Sequence, residues 1–296
     1  MRRLSDVQRR KGTVYVLLAA AFFSLSTPLA KPLVGLTSPM LLAGLFYFGS
    51  GVGAGLLAVL TPKSATNEED SLRKADLPWM VGSVSFGGVL APTLVLNGLR
   101  FIPASDASLL LNFEAVFTIL IAWLAFHEHV DRMFGLGAFA IILGSLIITW
   151  NGVTGLLNLT GALAIVGGCL FWGFDSNFIR KISVRNPFQV AGVRGISAGA
   201  ADILLSLLFP SAWTVQWVLA GLAIGIVCYG FSNVLWVLAL RYLGGARAGA
   251  YFSSAPFIGA LFSVLLLREA ATIFLVAAAV AMGLGALLVD RASTAR

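Results

Sequence analysis

Charge is scarce in this chain. Of its 296 residues only 11% are Asp, Glu, Lys or Arg, against about 25% in a soluble domain, so a water-facing globular surface cannot be built from it. Cysteine and histidine are scarcer, with two of each. Cys169 and Cys228 fall inside apolar runs, with no CxxC spacing and no His partner. That excludes a disulfide framework or zinc ribbon and reads as small buried hydrophobes. His127 and His129 bracket Glu128 near the end of an apolar run, again without the company a metal needs. No metal and no cofactor is expected. HExxH and the phosphate-binding loop are missing, as is any loop long enough for a soluble catalytic site. Zinc-protease chemistry of the HExxH type and ATP-driven pumping by this chain alone are thereby set aside.

Long apolar runs are what the chain has instead. It is 58% hydrophobic with a mean hydropathy of +0.92. Stretches of about 20 residues, each able to cross a ~30 Å hydrocarbon core, recur near 13–33, 39–60, 78–99, 104–126, 133–150, 159–179, 188–209, 215–240, 246–267 and 271–289. The eighth is overlong. The first follows a basic N-terminus, is too long for an ordinary signal peptide and ends at Lys31-Pro32, which predicts an uncleaved span. The expectation is an all-α membrane protein of ten transmembrane helices.

The net charge of +7 is explained by its distribution. With the N-terminus in the cytoplasm, Arg2, Arg3, Arg9, Arg10, Lys11, Lys63, Arg73, Lys74, Arg132, Arg180, Lys181, Arg185, Arg241, Arg247, Arg291 and Arg296 fall inside, and only Lys31, Arg100 and Arg268 outside. This positive-inside bias puts both termini in the cytoplasm. The basic excess faces anionic lipid, and the absence of base-stacking aromatics beside it argues against a nucleic-acid partner.

The sequence is also written twice. In one ungapped register Arg100 falls on Arg241, Ala107 on Ala248, Leu120 on Leu261, Leu124 on Leu265, Glu128 on Glu269 and Gly144 on Gly285. Upstream, Phe22 matches Phe171, Lys31 matches Arg180, and PMLLAG at Pro39 echoes PFQVAG at Pro187. Five spans per copy is an odd number, so the second half must sit inverted relative to the first. Residues 12–150 and 159–289 form the two five-helix repeats. Ser26-Thr27-Pro28, Ala91-Pro92 and Ser253-Ser254-Ala255-Pro256 predict kinks. The glycines from Gly49 to Gly55 include GxxxG twice, a close-packing signal that is also compatible with a homodimer.

The duplicated ten-helix layout, with SLLLNFEAVFTILIAWLAFHEH in the fourth span and LLLREAATIFLVAAAVAMGLGALLV across the last two, resembles the EamA-like branch of the drug/metabolite transporter superfamily from about Gly12 to Val289. Glu128 and Glu269 are the positions most like that family. The resemblance implies secondary transport, typically export, of small metabolites such as amino acids or related compounds, in a prokaryotic plasma membrane.

Polar residues at membrane depth are the candidate pathway, because each costs at least ~2.5–3.5 kcal/mol there and needs a reason. Glu114 lies near mid-span, on one helical stripe with Asn112, Ser108 and Thr118. Burial favours its protonated form, which suits a proton-coupling carboxyl and equally a structural hydrogen bond. Asp175 and Arg194 fall at similar depth on consecutive spans, which predicts an ion pair, either a staple or a gate and substrate contact; Trp172 and Ser176 share the Asp175 face, and Asp202 is an alternative partner for Arg194. Asn97, Asn233 and Tyr251 are further candidates that could bond to substrate or to neighbouring helices. The competing functions are an alternating-access carrier of a small molecule and a passive channel, facilitator or structural membrane subunit. A binding site between inverted halves suits the carrier.

Overall fold

A backbone that cannot reach water must satisfy its hydrogen bonds within the segment, and an uninterrupted apolar run does so as a helix. The computed structural model describes residues 6–60, 71–126, 132–149, 155–182, 185–208, 213–243, 248 and 251–294, and its regular elements are all helical. They are α1 (Asp6–Leu33), α2 (Pro39–Leu60), α3 (Lys74–Leu99), α4 (Ala104–Leu110 and Phe113–Phe126), α5 (Arg132–Thr149), α6 (Gly155–Lys181), α7 (Pro187–Ser206), α8 (Val215–Ile224, Gly225–Phe231 and Ser232–Leu243), α9 (Ala255–Leu267) and α10 (Ile273–Thr294).

Local chemistry sets the ends. Asn186 Oδ1 accepts from the Phe188 and Gln189 amides at 3.0 and 3.2 Å, with Pro187 as the first residue of α7, an N-cap followed by a residue that needs no donor. Thr272 Oγ1 does the same for α10, 3.1 Å from the Leu275 amide. Among the described residues six helices, those in α1, α2, α3, α4, α6 and α8, are long and apolar enough to cross a membrane, and Met133–Ile148, Ala255–Leu267 and Ile273–Val289 are shorter apolar helices. α7 has membrane length at 20 residues but carries Arg194 and Asp202. The protein is an integral, multi-pass membrane protein.

The repeat in the sequence recurs in the packing. α3 packs on α6 as α8 packs on α1, α4 on α6 as α9 on α1, and α3 on α7 as α8 on α2, while α2 meets α7, α5 meets α10 and α4 meets α9. The match extends to single contacts. Gly161 lies against Phe101 and Ile102, and its repeat partner Gly12 against Tyr242 and Leu243. Gly137 and Ile141 face Gly285, as Ala278 and Met282 face Gly144. Two stretches of π-helix, Ser83–Leu90 in α3 and Gly225–Phe231 in α8, occupy equivalent places. Lys31 at the end of α1 and Gly161 near the start of α6 both touch Ile102, so α6 begins where α1 finishes and the second half runs inverted. The end of the bundle where α1 starts is the near end below; the end where it finishes is the far end.

Without a hydrophobic drive between helices, close backbone approach carries the association. A Cβ on Gly195 of α7 would stand 2.5 Å from the Gly51 amide nitrogen and 2.8 Å from the Tyr47 carbonyl, whereas one on Gly192 meets nothing within 4 Å. Gly195→Ala is therefore expected to destabilise the protein by about 1–3 kcal/mol, and Gly192→Ala on the same helix to be neutral or stabilising by up to about 1 kcal/mol. Thermal unfolding of the two variants in detergent checks the pair. Equal melting temperatures would mean that α2 and α7 do not approach this closely.

Candidate functional site

Two helix breaks define the cavity, one in α4 without a proline and one at the expected kink over residues 253–256. In α3 the stretch of π-helix runs up to Ala91-Pro92. In α4 the ladder tightens to three-residue bonds, with Leu111 N to Ser108 O at 3.2 Å, Asn112 N to Leu109 O at 3.1 Å and Glu114 N to Leu111 O at 3.0 Å. The helix restarts at Phe113, which puts Glu114 in its first turn. Before α9 the equivalent break has Ser254 N on Tyr251 O at 3.2 Å, and α9 restarts at Ala255-Pro256. In α1 Pro28 is carried without a break.

Both breaks open on one cavity of about 380 Å³ in the near half of the bundle. α4 contributes Asn112, Glu114, Thr118 and the apolar Leu111, Ala115 and Ile119; α6 contributes Ser176, α1 Phe23 and α8 Trp236. The wall is completed by Phe252, Ser253 and Pro256 around the second break and by Ala286 and Val289 of α10. Ser176 Oγ donates to Glu114 Oε1 over a long 3.3 Å. The field of the Asp175–Arg194 pair reaches this carboxylate.

Behind the cavity wall lies a second polar cluster. Arg194 Nη2 donates to Asp175 Oδ2, and Ser83 Oγ donates to Asp175 Oδ1 at 2.5 Å. The Arg194 guanidinium sits 5.3 Å over the Tyr47 ring. The Gly87 carbonyl, in the π-helical stretch of α3, accepts from Tyr47 OH at 2.6 Å and from Trp172 Nε1 at 3.0 Å. A side chain at Gly87 would run into Asp175. Four helices converge there only because one residue has no Cβ and its neighbourhood has the extra acceptor that a π turn provides. Tyr47, Ser83 and Gly87 were not legible in the sequence as members of this cluster. The one local signal is the Gly87-Gly88 pair, which marks close approach without saying what approaches.

The other candidates fall elsewhere. Asn112 lines the cavity but gives its amide to Leu109 O at 2.8 Å, and Ser108 gives its hydroxyl to Ala104 O at 2.8 Å. Asn97 donates to Thr93 O at 2.9 Å within its own helix, and Asn233 reaches Ser50 Oγ at 3.4 Å. The Thr118 carbonyl accepts from Asn177 at 3.0 Å, and Tyr251 is exposed. Asp202 is fully buried and no donor meets either of its oxygens among the described residues; Arg194 pairs with Asp175 instead. Glu128, His127 and His129 lie outside the described residues.

The far end is closed by a different set of bonds. Pro103, at the N-cap of α4, offers no side-chain acceptor. Glu269, from the loop after α9, supplies it, accepting from the Ala104 amide at 2.7 Å and the Ser105 amide at 2.8 Å. Two orphan helix donors are thus met by a carboxylate from the other half of the chain. Lys31 Nζ donates to Leu99 O and Ile102 O at 2.7 and 2.6 Å, tying α1 to the α3–α4 turn. Between this seal and the near cavity lies a small space of about 20 Å³, bordered by Thr27, Leu96, Leu99 and Trp172.

The EamA-like transporter family model matches residues 10–150 and again 159–290. An uncharacterized transporter of Methanothermobacter thermautotrophicus is 26% identical over 278 residues, covering 89% of this chain and 81% of that protein. The uncharacterized transporters YoaV and YvbV of Bacillus subtilis are 24% and 21% identical, covering 85% and 93% of this chain and 84% and 90% of their own. A protein crystal structure of 20% identity superposes with a TM-score of 0.65, covering 94% of this chain and 95% of that chain, and so shares the fold.

Proposed function

This chain belongs to the EamA-like transporter family, and we propose that it is a secondary transporter exporting a small metabolite, an amino acid or related compound, by alternating access. In this reading all ten helices span a prokaryotic plasma membrane as two inverted five-helix repeats, with the near end and both termini in the cytoplasm, in contact with anionic lipid. The observation that carries it is the Glu114 cavity, which lies between the inverted halves, opens in the near half and is separated from the far end by the Glu269 and Lys31 bonds. A site between inverted halves with a bonded far end supports a carrier. A continuous channel would not need such a seal.

Glu114 is the coupling group in this proposal: a carboxylate in an apolar wall holds a proton when the cavity is dry and releases it to water. Proteoliposome counterflow with a panel of amino acids and their derivatives tests the reading, with and without a pH gradient. The wild-type protein should exchange its substrate in either condition and accumulate it in substrate-free vesicles only when the gradient is imposed. Glu114→Gln, at saturating substrate, should keep downhill exchange and lose accumulation. Equal accumulation by both proteins would remove Glu114 from coupling, and a folded protein that exchanges nothing on the panel would remove the substrate class.

A further inference from the structure

We infer that the Glu114 cavity is a site for an organic ammonium with an apolar body, and that it rejects compounds bearing a free carboxylate. The inference rests on the transport reading above and narrows its substrate class to amines.

Among the described residues, Glu114 is the one acidic or basic side chain lining the cavity. The Asp175–Arg194 pair behind the wall neutralises itself, so once Glu114 has released its proton to water the described lining carries a single negative charge. The bond from Ser176 is long enough at 3.3 Å for an ammonium to displace it. The same wall carries three aromatic rings, Phe23 and Phe252 with centroids 5.8 Å apart and Trp236 and Phe252 at 4.8 Å. Aromatic faces attract ammonium groups and supply the apolar contact for the rest of the ligand. A volume of about 380 Å³ falls in the range that holds a small organic molecule.

A free amino acid would bring a carboxylate as well, and among the described residues no Lys, Arg or His lines the wall to receive it. Arg194 is bonded to Asp175 and stacked on Tyr47, and Lys31 is spent at the far end on Leu99 O and Ile102 O. An anion taken from water into this wall would lose its hydration without gaining a partner.

Equilibrium binding to the purified protein in detergent tests this with three probes of one shape: 2-phenylethylamine, phenylalanine and 3-phenylpropanoate. The amine should bind about tenfold or more tighter than phenylalanine, and 3-phenylpropanoate should not compete. Glu114→Gln should weaken amine binding by about 10–100-fold, the range for a hydrogen bond to a charged group. Phe252→Leu, which leaves the carboxylate in place, should weaken it by about 2–30-fold. Phenylalanine binding as tightly as the amine overturns the inference, as does no amine binding by folded protein or amine binding indifferent to both substitutions. The two readings fail separately. A protein that exchanges other metabolites but ignores the amine loses the ammonium site and keeps the carrier assignment; one that binds the amine through Glu114 and exchanges nothing does the reverse.

Discussion

Arg194→Ala is expected to destabilise the protein by about 3–5 kcal/mol, the cost of leaving the other member of a buried ion pair without its partner. Asp175 is 6% exposed as a residue, and its remaining hydrogen bond, from Ser83, cannot replace a guanidinium. The Tyr47 ring would also lose the cation stacked on it. Removing both charges should be far less damaging than removing one, because a buried pair contributes little beyond the matched apolar packing that could replace it. Asp175→Asn combined with Arg194→Met keeps an acceptor for Ser83 and fills the same space, and should recover most of the loss. Thermal unfolding of the two single variants and the double variant gives the coupling directly. A cost below about 1 kcal/mol for Arg194→Ala would mean that the pair behaves as a solvated surface bridge.

The same double variant separates structure from mechanism. In the repeat register Ser26 holds the place of Asp175 and Phe46 that of Arg194, and Phe46 is only 1% exposed. The first half of the chain therefore fills the equivalent interhelical space with a ring and a hydroxyl. A fold that manages this once without charges does not need the ion pair for packing in the second half. If the double variant is stable and transport is lost, the pair acts in the transport cycle; if transport persists, it is a staple.

Much of the architecture was legible because membrane helices are written in long, simple runs. Arg100 on Arg241 and Lys31 on Arg180 give the register, and the contacts of Gly161 and Gly12 then fall where that register puts them. Of the two breaks, before Phe113 and before Ala255, only the second carries a proline and was legible in its location. Their consequence was not, since a helical wheel drawn straight through residues 104–126 puts Ser108, Asn112, Glu114 and Thr118 on one stripe. Ser108 instead bonds a carbonyl of its own helix turn, and the break gives Asn112 a local carbonyl partner. Composition also cannot say what a polar atom will meet. Asp175 and Arg194 could be matched by depth, but Ser83, Tyr47 and Gly87 arrive from α2 and α3, and no spacing links them to α6 and α7.

Glu269→Ala is expected to open the far end. Its carboxylate holds the Ala104 and Ser105 amides at 2.7 and 2.8 Å across the two repeats, and Pro103 leaves α4 with no cap of its own. Losing a charged acceptor of this kind removes about 2–3 kcal/mol from the closed arrangement, which shifts a closed–open equilibrium about 30–150-fold. Thr27 reports on it, because it is buried and borders the narrow space between the seal and the Glu114 cavity. With Cys169 and Cys228, both buried, replaced by alanine, Thr27→Cys should resist an impermeant maleimide added at the far face. Adding Glu269→Ala should raise its labelling at least about tenfold. Lys31 would still hold Leu99 O and Ile102 O, so the helices should separate without the fold being lost. A variant that melts earlier but labels no faster would make Glu269 a cap for α4 and nothing more, and the seal on the far side would have to lie in Lys31 or the apolar packing around Leu96 and Leu99.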